Sequence, residues 1–154
     1  MSDVPEHLKD RLRADLTTAM KARDELRTAT LRMVLAAVSA EEVSGKEARE
    51  LSDEEVQAVV RREAKKRREA AEAFAGAGRA HQAERERAEE GVLAGYLPAQ
   101  LEDADLAAIV ADVITRTGAS GMKDMGKVMG AANGVVAGRA DGSRVAAEVR
   151  RQLA

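Results

Sequence analysis

The chain has 154 residues, which is room for one or two small domains. Its apolar content of 45% is enough for a core, yet it carries a single Phe, a single Tyr and no Trp, so that core must be built from Ala, Leu, Val and Met. The formal net charge of −2 excludes a strongly basic nucleic-acid binder, and the lack of cysteine excludes disulfides, a thiolate nucleophile and a Cys-based zinc site.

Residues 1–95 hold 18 basic and 20 acidic side chains, and residues 96–154 hold 7 of each. No apolar run approaches the roughly 20 residues of a membrane span. The start, Met-Ser-Asp-Val-Pro-Glu, lacks the basic and apolar regions of a secretory leader, so the expected location is cytoplasmic. Alanine, at 32 residues, is the best helix former and a poor filler of volume. Period-two runs of β-branched and aromatic residues are missing, which argues against a sheet. The predicted fold is all-α: an N-terminal bundle of about four helices (1–94), then a small C-terminal three-helix domain (95–154).

Helix one is expected from about Asp3, with Pro5 in the first turn and Glu6 completing a capping-box-like start. Leu8, Leu12, Leu16, Ala19 and Met20 mark its inner face. Asp24 fits the cap of helix two, whose middle, Leu31 to Val38, is apolar almost all round and suits a central position. Gly45 fits its C-terminal cap. Ser52 and Glu55 form a capping box for helix three, which carries a thin stripe of Val56, Val59, Val60, Ala64, Ala71 and Phe74. Gly76 and Gly78 break it. A polar fourth helix runs from about Ala80 to Leu93, with Ala83, Ala88, Val92 and Leu93 inward.

Gly95-Tyr-Leu-Pro-Ala-Gln100 reads as a joint. Pro98 donates no backbone hydrogen bond and disfavours helical geometry at Leu97. Tyr96 and Leu97 are expected to bury themselves in the seam between the two halves. Asp103 is the predicted cap of helix five, with Leu106, Ile109, Val110, Val113 and Ile114 inward and Gly118 as the stop. Helix six is predicted from Gly121 towards Val136, with Met122, Met125, Val128, Met129 and Ala132 on one face; Asn133-Gly134 could end it early. Gly126, Gly130, Gly134 and Gly138 recur every four residues. Each costs about 1 kcal/mol relative to alanine in a helix, and close approach of a neighbouring backbone is the simplest offset. Helix seven starts at Asp141, with Val145, Val149 and Leu153 inward.

Two segments could meet an anion. Arg61, Lys65 and Arg68 share a helical face with Arg62 and Lys66 beside them, a row that phosphates could bind with strongly salt-dependent affinity. The competing reading is a solvated face tied by pairs such as Glu63 with Arg67 and Lys65 with Glu69, which the net charge favours. The turn Gly138-Arg139-Ala-Asp141-Gly142, with amides free at a helix start, could receive a phosphate. The residues favour the competing reading, a tight turn needing Gly138 for its backbone and Asp141 for its cap, because an aspartate cap already satisfies those amides and would repel an anion. Asp124 and Lys127 are one turn apart and suit a surface ion pair better than an acid–base pair. The methionines suit core filler. His7 and His81 have no ligand-spaced partners, so no metal is expected. No phosphate-binding, dinucleotide-binding or nucleophile motif is present, so no cofactor and no catalytic residue is assigned. Base-stacking platforms are excluded for want of aromatic side chains.

Thr30 to Val38, Gly95 to Leu101, Asp124 to Met129 and Gly138 to Gly142, in that order, together resemble the YqeY-like, or GatB/YqeY-domain, family. The resemblance covers nearly the whole chain. It implies an N-terminal helical bundle and a C-terminal helical domain similar to the tail domain of the B subunit of the tRNA-dependent amidotransferase. That enzyme converts Glu-tRNA(Gln) or Asp-tRNA(Asn) to the amide form with glutamine, and its tail helps hold the outer corner of the tRNA. Carried over by motif, Lys127 and Arg139 mark the expected RNA contact, joined by Arg144 in the same segment. The structural turn residues are Tyr96, Pro98, Gly138, Asp141 and Gly142. The expected function is a non-catalytic module binding tRNA or a tRNA-handling enzyme such as an amidotransferase or synthetase. A protein–protein adaptor is the alternative. A third, carbon–nitrogen ligase activity with glutamine as amido-N-donor, would need the catalytic body and glutaminase subunit, which 154 residues cannot hold.

Overall fold

The computed structural model describes residues 7–154, so the Asp3, Pro5 and Glu6 start lies outside the described residues. Seven helices follow in order: α1 (Leu8–Lys21), α2 (Glu25–Glu42), α3 (Asp53–Gly76), α4 (Ala80–Ala94), α5 (Asp103–Thr117), α6 (Met125–Val136) and α7 (Gly142–Leu153). There is no strand among the described residues. The chain divides into two units between Leu97 and Pro98.

Four helix ends carry the signals that the sequence offers. Asp24 accepts the Arg27 amide at 3.1 Å, and Ser52 and Glu55 form both halves of a capping box. α3 stops at a left-handed Gly78 (φ 74°), where the Arg79 amide reaches Phe74 O and the Gly78 amide reaches Ala75 O. That double closure is a Schellman motif, and it turns the chain straight into α4. Gly118 (φ 69°) ends α5 in the same way, with Ala119 bonded to Ile114 and Gly118 to Thr115. Three boundaries differ from expectation. Val43, not Gly45, caps the end of α2. Glu102 is the N-cap of α5, and Asp103 is its first residue, placing a carboxylate in the first turn where the helix dipole favours it. Residues Met122–Asp124 form a separate 3-10 turn before α6, and α6 runs through Asn133 and Gly134 to Val136.

In the first unit the core gathers Leu12 of α1, Leu31, Val34 and Val38 of α2, Val56, Val59, Val60 and Ala64 of α3, and Val92 and Leu93 of α4. α2 touches all three other helices, as its apolar middle demands. Its outer side still reaches solvent at Arg32, Ala36 and Ala40. Met20 (43% exposed) and Ala88 point outward despite their place in the periodic pattern.

Beyond Ala64 the core thins. α3 and α4 continue as an antiparallel pair whose buried apolar contacts are Ala71 and Ala83. Charged side chains bridge the pair: Arg67 lies 3.4 Å from Glu86 and 3.7 Å from Glu89, and Arg68 3.0 Å from Glu90. Arg85 holds Glu25 of α2 through both carboxylate oxygens, at 2.6 and 2.9 Å.

Tyr96 belongs to the first unit. It packs into that unit's core at 6% exposure, its hydroxyl donates to Asp15 of α1, and the Arg11 guanidinium lies 4.7 Å from its ring centroid. Leu97 packs half-buried against the same cluster. The second unit closes a separate core from three helices: Leu106, Val110 and Val113; Val128, Ala132 and Val136; Val145, Val149 and Leu153.

Candidate functional site

The expected RNA residues fall in both units. In the first, the α3 row is largely engaged by the fold. Arg61 reaches Gln57, Arg62 lies 3.7 Å from Glu41, Lys66 pairs with the buried Glu63 at 3.2 Å, and Arg67 and Arg68 cross to α4. The expected Glu63–Arg67 pair gives way to Lys66–Glu63 and to Arg67 with two carboxylates of α4. Lys65 is exposed.

In the second unit each named cation donates to at least one backbone carbonyl group. Lys127 Nζ donates to Thr117 O at 3.0 Å, at the end of α5. Arg139 folds back on the end of α6, donating to Val136 O at 3.1 Å and Val135 O at 3.2 Å. Arg144 donates to Leu101 O and to Asp103, both at 2.9 Å. The Leu101 amide in turn donates to Arg139 O at 2.7 Å. Lys127 and Arg139 satisfy carbonyls that a helix C-terminus leaves without partners, where positive charge is favourable, whereas Arg144 ties the first turn of α7 to the start of α5. Asp124 and Lys127 do not pair with each other. Asp124 accepts the Ser120 amide at 3.0 Å, so each of the two fastens a different turn.

The 138–142 turn is built as a chain reversal. Ala137 (φ 49°) and Gly138 (φ 79°) are both left-handed. Asp141 then takes the N-cap place with extended backbone, its carbonyl accepting the Val145 amide at 3.0 Å. No capping bond comes from its side chain. The turn residues Gly138, Arg139 and Asp141 are half-buried and Ala140 is buried.

The glycine stripe of α6 runs against expectation. A side-chain carbon added at Gly126, Gly130 or Gly134 would meet nothing within 4 Å. No backbone packs on this face, and all three glycines are exposed. At helical spacing they lie opposite the inward line of Val128, Ala132 and Val136. Lys127 lies beside the glycines at helical spacing, and Lys123 stands in the turn just before α6; both are exposed. Met122, expected on the inward face, is 47% exposed because it lies in the 3-10 turn before α6. The sequence did place the glycines on the face opposite the Val and Met line, but that no neighbour covers this face follows from where the other helices lie.

The surface cavities described in the first unit are open grooves. One, about 430 Å³, lies where α1 meets α2 and is lined by Met20, Arg23, Asp24, Glu25, Thr28, Ala29 and Arg32. Among the described residues no group of three or more His, Cys, Asp or Glu side chains could hold a metal ion. No helix of the described chain is long and apolar enough to cross a membrane.

A four-helix unit followed by a three-helix unit, with an open glycine and lysine face on its middle helix, defines a class of small all-helical, two-unit proteins. The particular family follows from comparison: the model of the Yqey-like protein family matches residues 9–153, and the chain belongs to that family. Among curated proteins no match was found.

Proposed function

We propose that the chain is a non-catalytic helical module that binds tRNA, or an enzyme handling tRNA, through the outward face of α6. The observation that carries the proposal is the open space over Gly126, Gly130 and Gly134. Three glycines cost a solvent-facing helix roughly 3 kcal/mol together relative to alanine, and nothing within the unit uses the room they leave. A partner approaching the helix backbone closely would use it. Lys127 beside the glycines and Lys123 in the turn before α6 supply the positive charge that phosphates require. Lys127 then serves twice, closing α5 and flanking the face. Arg139 and Arg144 fix the 138–142 turn beside Leu101 and support the contact from behind; Arg61, Lys65 and Arg68 are secondary, with Lys65 the most accessible of them.

The test is titration of the full chain with bulk tRNA at low and moderate salt. Binding that weakens as salt rises is expected. Replacing Gly126, Gly130 and Gly134 together by alanine should stabilise the chain, since the added methyl groups meet open space. The same replacement should weaken binding several-fold. Absence of binding at low salt, or a triple-alanine variant that binds equally well, would reject the proposal.

A protein–protein adaptor is the second reading, favoured by the low charge of α6, where Lys127 is the one charged residue between Met125 and Val136. Capture of partners that survive nuclease treatment would select it over RNA.

A further inference from the structure

We draw no further inference here: the strongest candidate, the open groove where α1 meets α2, sets Arg23 and Arg32 against Asp24 and Glu25, and nothing in the structure shows what covers it.

Discussion

Tyr96 is the one tyrosine of the chain, and its surroundings oppose ionisation. Burial is the main cause, and the hydrogen bond to Asp15 adds to it; together they push the phenol up to about 12 from its ordinary value near 10. A folded-state value above the unfolded one means that this contribution to stability is complete below about pH 10 and is lost as pH rises towards 12. With no Trp to interfere, tyrosinate absorbance should titrate near 12 in the folded chain and near 10 in denaturant. A folded-state midpoint near 10 would contradict the buried placement. Tyr96→Phe should lower stability by about 1 to 2 kcal/mol in denaturant unfolding, the usual worth of a hydrogen bond to a carboxylate. At the other end of the chain, Ala137 adopts a left-handed conformation that its Cβ disfavours. Ala137→Gly relieves that strain but adds freedom to the unfolded chain, for a net gain of roughly 0.5 to 1 kcal/mol, read as a raised melting temperature.

Periodicity located every helix, but it did not decide which outward face was meant for use. α6 makes the point: of its expected inward stripe, Met125, Val128, Met129 and Ala132 pack on the core while Met122 does not, and the glycines were assigned to helix packing that the fold does not make. Whether a small residue faces a neighbour or solvent depends on where other helices lie, which a single helix does not encode. α3 shows the same division. Its charge row was visible, and so was the possibility of intrahelical pairing. That Arg67 and Arg68 would cross to α4 depended on the Gly78 turn bringing Glu86, Glu89 and Glu90 alongside. This distal pair has little apolar burial and should open most readily within the first unit, because local stability follows buried apolar contact. Arg67→Ala should therefore speed amide exchange around residues 66–90 and leave α1 and α2 protected, as measured by hydrogen–deuterium exchange.

Each unit has a core of its own, so residues 98–154 should fold alone. A segment of that size sits near the lower limit for an unaided core. A helical circular-dichroism spectrum with a cooperative melt at modest temperature is expected, and a coil spectrum would show that the second core is incomplete. Acid should weaken the whole chain. Arg49 and the Ser52 amide hold Glu55 down to about 2, Arg151 and Gln152 hold Glu148 down to about 2, Lys9 lowers Glu42, and Arg85 lowers Glu25. Depressed folded-state values mean stability that is complete above about pH 4.5 and lost as pH falls towards 2. These groups meet solvent, so the loss should be gradual, seen as a falling urea midpoint across that window and reduced by added salt.

The sequence by itself determined the all-helical class, the helix order, most of the caps and the two apolar cores, because spacing, propensity and capping act within a few residues of chain. It also carried the family, through four motifs in order. Tertiary structure alone decided that Tyr96 locks into the first unit through Asp15, that Lys127 closes the end of α5 and that Arg144 ties α7 to the start of α5. It also decided that the α6 glycines stand open. Each of those outcomes depends on groups brought together from distant or separately folded segments, and the free space around a residue is a property of its neighbours in three dimensions.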